Sequence, residues 1–526
     1  MDQRRILLTV TLCFAVLYGY QFFLSKYYPQ KPQGNPLNLG TPEAPPEPAA
    51  QVPSQAQPSS GLAAALDEGA LVDVETDLFR LQLTPIGARI ARLELKRFQQ
   101  TVAADSPPLE LVSPAPLLPI TLQFESGQSD AGLKFSADRA QLSLTGQERG
   151  TLVFSATAPD GARVQKRYEF TGDSYLFQVS LAGANSRSVG LVLTPLAKGS
   201  AGGGRSPGQE SVVALAGTKL TQQDTTSVAK NALRLEDASW VGFAAQYFLF
   251  AALPSEGAGT AVAADAGDGP VVRLDAPLRD GAASFSIYAG PKDTRELEKI
   301  GQDLKRVVDY GWFWFIAIPL LEVLRWLHRM VGNYGVAIII LTAGLKILTL
   351  PLTRWALTNM RQMQKIQPQM TRLRERYKDD QEALMREMQQ LYKQHGVNPA
   401  TGCLPMLGQI PFFVGLYNAL LHAIELRHAP FALWINDLSA PDRLMLGGIG
   451  IPVMTILMGA SMLVQQWLSP QQGDPTQQRM MMIMPIIFTY MFLSFPSGLV
   501  LYWLVNNVLS IGQQYYMLRT TEQPAR

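Results

Sequence analysis

One charged side chain sits where a charge is expensive. Lys346 is the single lysine, arginine, aspartate or glutamate inside the last five apolar runs of this 526-residue chain. A charge at the centre of a bilayer costs roughly 2.5 to 3.5 kcal/mol, so a lysine there must face a protein interior or water. Two readings are open. Its stem could snorkel toward Arg354, eight positions and about 12 Å further along a helix. Alternatively it faces a wet cavity, where its ammonium would attract carboxylates on an incoming chain and lower the cost of stripping their water. Polar residues that could line such a cavity are Thr342, one turn before Lys346, with Gln409, Asn418, Ser461 and Asn506 on later runs. Each taken alone is equally a helix-to-helix hydrogen bond.

Methionine supplies a second signal. Of 18 methionines, all but Met1 and Met330 lie from Met360 onward, with Met454, Met458 and Met462 at four-residue spacing. A flexible, polarisable stripe of this kind either packs helices together or offers a slide to varied apolar segments, Met458 and Met462 included. The third signal is positive charge. Nine basic and five acidic residues lie between Arg354 and Lys393, among them Arg372, Arg374, Arg376 and Lys378, and Arg479 follows a later span. These form a solvated helical face or a surface for lipid headgroups or ribosomal RNA.

Conventional catalysis has no candidates. The spans hold no Walker motif, HExxH, Gly-x-Ser-x-Gly or paired carboxylates, and residues 30 to 300 contain neither histidine nor cysteine. With only Cys13 and Cys403, a disulfide framework or multi-cysteine metal site is excluded, and no metal or cofactor is expected. A formal net charge of +2 argues against a dedicated DNA binder.

These residues require particular elements around them. Arg4 and Arg5 precede an apolar run from Ile6 to Leu24, read as an uncleaved signal anchor over residues 1–28 with its start inside the cell. Residues 29–61, rich in proline, form an extended linker. Residues 62–308 alternate apolar and polar positions, as in Tyr175, Phe177, Val179 and Leu181, and predict a β-sandwich closed by a short helix over 291–308. Residues 309–332 predict a helix lying in the membrane interface, because a span there would put the basic segment outside. Spans follow at 334–353, 403–423, 444–467, 480–495 and 498–518, within a core of 333–518 that carries a helical hairpin over 356–396. With the first anchor this makes a multi-pass α-helical membrane protein of six transmembrane helices, both termini inside, ending in a short tail over 519–526.

Four segments then carry a resemblance. VNPATGCLPMLGQIPFFVGLY from Val397, HAPFALWINDLS from His428, FPSGLVLYW from Phe495 and VDYGWFWF from Val308 resemble the bacterial YidC membrane protein insertases. The resemblance implies a five-helix insertase core with a groove open to cytoplasm and lipid, and an all-β periplasmic supersandwich similar to sugar-mutarotase folds. It implies a membrane insertase and chaperone of the cell inner membrane, acting alone or beside the Sec translocase on nascent membrane proteins, with weak or transient ribosome contact. By position the family's intramembrane arginine falls on Lys346, which keeps the charge and loses the planar fork. Thr342, Tyr502 and Trp503 match positions lining the family's groove or meeting the substrate helix. Relatives with a long basic tail can use it on ribosomes; with Arg519 and Arg526 the only basic residues of the tail here, docking is expected to rely on the hairpin and the loop 469–479. The rival class is a secondary transporter or channel using Lys346 as a solute or proton site; a carbohydrate-binding role for the β region is a third.

Overall fold

The structure is a computed structural model that describes residues 71–521 apart from 104, 116, 159–160, 185, 198–209, 379, 398–403 and 469–474. At 352, 355–357, 360–361, 404–408, 475–481 and 517–521 it describes backbone alone. The anchor, the linker, Cys403, the Arg479 side chain and the tail from 522 lie outside the described residues.

Alternation builds the β domain. In Arg163–Thr171 every second residue is buried, and Val164, Lys166, Tyr168 and Phe170 point inward while Arg163, Gln165, Arg167 and Glu169 point out. Leu176–Ala182 pairs with it antiparallel, setting Val179 opposite Tyr168. Thirteen such strands form one sheet and five another, the smaller running from Pro108–Val112 to Gln141–Ser143. The two faces meet through aromatics: Phe79 of the small sheet lies 6.2 Å from both Phe170 and Phe177 of the large one. Full burial of each such ring contributes on the order of 2 kcal/mol. Lys166, inward on its strand, has all three N–H groups satisfied by Asp130 (2.8 Å) and by the carbonyls of Gly87 and Ile120. That satisfaction makes a buried charge tolerable.

The predicted helix over 291–308 is shorter. Asp293 caps helix α1, Thr294–Ile300, which stops at Gly301 because φ there is +81°, outside the helical region. A 3₁₀ turn, Leu304–Val307, completes the segment.

Seven longer helices follow. They are α2, Trp314–Val331; α3, Tyr334–Arg376; α4, Gln381–Gln394; α5, Leu404–His422; α6, Val453–Leu468; α7, Pro475–Phe492; and α8, Ser497–Thr521. Among the described residues, Tyr334–Pro351 is the one helical stretch long and apolar enough to cross a bilayer by length and composition; Val453–Leu468 and Met482–Phe492 are shorter apolar helices. Two differences from the sequence reading matter. The span at 334–353 and the first arm of the hairpin are one helix of 43 residues, about 65 Å long, running through Pro351 and Pro368. Around Pro351 the hydroxyls of Thr349 and Thr353 donate to the carbonyls of Leu345 and Thr349, supplementing the helix beside the missing N–H. And α6 starts only at Val453, because Leu444–Leu446 and Ile449–Ile451 pair as a small hairpin about Gly447 and Gly448, both at positive φ.

The hairpin arms α3 and α4 close on Met363, Ile366 and Leu391 with Met370 and Leu373 against them. α8 lies between α3 and α6, and this sandwich positions the site.

Candidate functional site: a lysine held by neutral groups

Rotation of α3 decides what Lys346 meets. Ile347 and Leu348 are largely exposed on one side of that helix, while Lys346 is half-buried on the side facing α8. Its Nζ donates to Ser510 Oγ at 2.6 Å and to Asn506 Oδ1 at 3.4 Å. Asn506 and Ser510 are four apart on α8, hence on one face, and the Ser510 hydroxyl donates in turn to the Asn506 carbonyl at 2.7 Å. Both partners of the ammonium are neutral. Among the described residues no carboxylate pairs with it, so its charge is oriented but not cancelled.

The other expected groove residues do not all join it. Thr342 is buried one turn away, its hydroxyl donating to the Ile338 carbonyl of its own helix. Ser461 lies against the opposite side of α8, where it accepts from Asn507 Nδ2 at 3.0 Å and donates to the Met458 carbonyl. Gln409 reaches the Tyr502 hydroxyl. Asn418 points elsewhere: its amide donates to the Tyr310 carbonyl at 3.1 Å and ties α5 to the segment before α2. Ser510 and Asn507 were not singled out in the sequence. Ser510 was findable, since it falls one turn after Asn506.

The methionine stripe divides. Met458 has no exposed surface and Met454 almost none, because α6 is wedged against α7 and α8 and flexible side chains fill the gaps. On α7, by contrast, Met482, Met484 and Met491 are exposed. Met462 is half-buried, and Tyr502 is buried. Trp503 stands edge-on to Phe413 at 4.7 Å with Phe492 at 5.3 Å, a packed aromatic cluster. Arg372, Arg374, Arg376 and Lys378 are all exposed, and Arg372 and Arg376 border a cleft of about 280 Å³ with Gln369, Gln390 and Gln394.

A second charge cluster seats the β domain on the helices. Arg325 of α2, its side chain 8% exposed, donates to Glu425 and Glu322 at 2.6 Å each and to Asp293 of the α1 cap at 3.4 Å. Nearby, Gln246 donates to the Leu421 carbonyl at the end of α5, and the Arg427 guanidinium lies 5.7 Å from the centre of the Phe248 ring.

Together these features describe a bundle of largely apolar helices holding a lysine that has no carboxylate partner among the described residues, with a large β domain clamped to one end. Comparison with known sequences resolves that class further. Residues 71–323 match the family described as YidC periplasmic domain, and residues 326–524 match the family described as 60Kd inner membrane protein. The chain is 38% identical over 542 residues to the membrane protein insertase YidC of Pelobacter propionicus, covering 98% of this chain and 99% of that one. It is 37% identical over 553 residues to that of Syntrophus aciditrophicus, with 98% and 99% covered. Of solved structures, an active YidC insertase crystal structure with its first transmembrane domain resolved aligns over 85% of this chain and 92% of that one, at 19% identity and a TM-score of 0.38. The chain belongs to the YidC family of membrane protein insertases. The transporter alternative finds no support among these relatives.

Proposed function

We propose that the protein inserts integral membrane proteins into the inner membrane and helps them fold, with the Lys346, Asn506 and Ser510 cluster as the polar station that an entering segment meets. The observation that carries this is the ammonium held at 2.6 Å by one neutral hydroxyl, with no counter-charge among the described residues. A short polar flank with acidic residues is drawn toward Lys346, and the apolar segment behind it leaves between helices into lipid. Moving about 20 apolar residues out of water drives the step, at roughly 25 cal/mol per Å². No bond is made or broken.

In this reading six helices span the membrane, both termini are cytoplasmic, the β domain is periplasmic and α2 lies in the interface, where Trp314, Phe315 and Trp326 present exposed aromatic surface. The exposed arginines of the α3–α4 hairpin would meet a ribosome transiently or lipid headgroups, and the Sec translocase would be a second partner. Purified protein in liposomes tests the function directly. It should insert a single-span protein synthesised in vitro, and a photocrosslinker at Ala343 or Gln409 should capture that substrate during insertion. Insertion no greater than in empty liposomes would overturn the proposal.

A further inference from the structure

The segment joining α5 to α6 contains eight residues without a polar side chain: Leu444, Met445, Leu446, Gly447, Gly448, Ile449, Gly450 and Ile451. They fold as a hairpin with Leu444 opposite Ile451 and Leu446 opposite Ile449. Gly447 and Gly448, at φ +58° and +85°, make the tight turn, with open space around each. Apolar side chains this close to a turn are normally covered. Here Met445 is 64%, Leu446 55% and Ile449 70% exposed.

The base of the hairpin is fixed. Asp442 accepts from the backbone N–H groups of Met454 and Thr455, capping α6, and from the Trp434 indole at 2.7 Å. Arg443 donates to the Leu493 carbonyl beyond the end of α7 at 2.9 Å. The apolar tip is thus held in place beside two helix ends. A two-stranded hairpin has little stability of its own in water, so this clamp and the medium around the tip maintain it.

The length of α6 indicates what that medium is. Sixteen residues rise about 24 Å, short of the roughly 30 Å hydrocarbon thickness of a bilayer. Ile456, Leu457, Leu463, Val464 and Trp467 of α6 are exposed apolar residues, and Pro452 alone separates the helix from the hairpin. Two strands of three residues, each about 10 Å long, continue the apolar stretch past the missing height of about 6 Å and so toward the interface. Free N–H and C=O groups at the glycine turn bar it from the hydrocarbon centre but not from the interface.

We infer that the Leu444–Ile451 hairpin is a membrane anchor whose tip, through Met445, Leu446 and Ile449, is immersed in the lipid interface at the β-domain end of the core. The inference rests on the core being embedded in a bilayer; it does not require that the protein insert substrates.

The test is a nitroxide at Ile449→Cys in the full chain, with Cys13 and Cys403 replaced by serine, reconstituted in phosphatidylethanolamine–phosphatidylglycerol vesicles. Oxygen, which concentrates in lipid, should relax the label several-fold more than a water-soluble nickel chelate, whereas a label at exposed Glu256 should show the reverse. A label at Met445→Cys should repeat the result if the first variant folds poorly, and Leu446→Asp should shift either label toward the chelate. A label open to nickel would overturn the inference, as would one shielded from both reagents by protein. Loss of insertion with lipid exposure intact would refute the proposed function and leave the anchor standing.

Discussion

Replacing Lys346 by methionine separates a structural lysine from a working one, because the two roles predict opposite signs. Methionine keeps the unbranched stem and removes the charge. If Lys346 served only packing, the change would cost activity through loss of fold. The structure argues otherwise: its partners are a hydroxyl and an amide, and Ser510 keeps its own bond to the Asn506 carbonyl when the ammonium goes. Removing an intramembrane charge also relieves roughly 2.5 to 3.5 kcal/mol, so the melting midpoint should stay level or rise. Activity should fall selectively. A substrate carboxylate about 6 Å from Nζ at an effective dielectric constant of about 20 gains about 3 kcal/mol, or roughly 100-fold in rate if it is realised at the barrier. Paired substrates with the same apolar segment and either two aspartates or two asparagines in the translocated flank provide the assay. Lys346→Met should slow the acidic substrate by up to that factor and the neutral one by less than about twofold, while Lys346→Arg should retain both. Equal slowing of both substrates, or a drop in melting midpoint matching the loss of activity, would refute the reasoning.

Arg325→Met removes the buried cation between Glu425 and Asp293 and leaves them only the half-exposed Arg295, at 3.5 and 3.4 Å, so with Arg325 at 8% side-chain exposure the loss should be up to about 3 kcal/mol. It should appear as faster protease cleavage between residues 301 and 313 and a lower unfolding midpoint; unchanged cleavage would mean the β domain is seated by other contacts. Burial pushes the Glu210 carboxyl up to about 7, although the Leu196 N–H donates to it. The folded state therefore keeps a proton that the unfolded state loses, and β-domain stability should fall as pH rises from about 4.5 to 7, by up to about 3 kcal/mol. Glu210→Gln should abolish that slope in a pH series of thermal melts, and a persistent slope would exclude Glu210 as its source. At Gly459 a Cβ would come within 2.1 Å of Thr489 Oγ1, so Gly459→Val should force α6 and α7 apart and lower the midpoint by an overpacking cost of about 1 to 3 kcal/mol. An unchanged midpoint would mean that these helices part easily.

The sequence was readable where periodicity carries the signal. Alternation along Tyr175–Leu181 marked an inward face, and the hairpin expected over 356–396 closes on Met363, Ile366, Met370 and Leu373, spaced three and four apart as one helix face requires. It was unreadable where rotation or distant pairing decides. Asn506 and Asn507 are adjacent and chemically identical, yet one faces Lys346 and the other Ser461, because successive helical residues point about 100° apart. Met458 has the composition of a slide and the location of core, and composition cannot distinguish the two. An unbroken apolar run carries no period, so Leu444–Ile451 read as the start of a span; the Gly447–Gly448 pair was the one mark of a turn. Arg325 finds Asp293 and Glu425 at separations of 32 and 100 residues, which no local pattern encodes.

The buried cations of this chain show why Lys346 stands apart. Lys166 spends its three donors on Asp130 and two carbonyls, and Arg325 is ringed by three carboxylates. Lys292 donates to the Ala245 carbonyl, and burial pulls its amine down to about 8 against the opposing pull of Asp309. Lys166 and Arg325 are thus paired within the protein, and Lys292 has Asp309 as an acidic neighbour. Cancellation suits structure, because a neutralised charge costs less to bury and attracts nothing from outside. Lys346 has the opposite arrangement: enough polar contact to fix where its ammonium sits, and no anion among the described residues to cancel it. Adding a carboxylate there, as in Ser510→Asp, would improve the local electrostatics and should stabilise the core. It should also abolish the preference for acidic flanks, since the same charge cannot satisfy its own protein and draw in another.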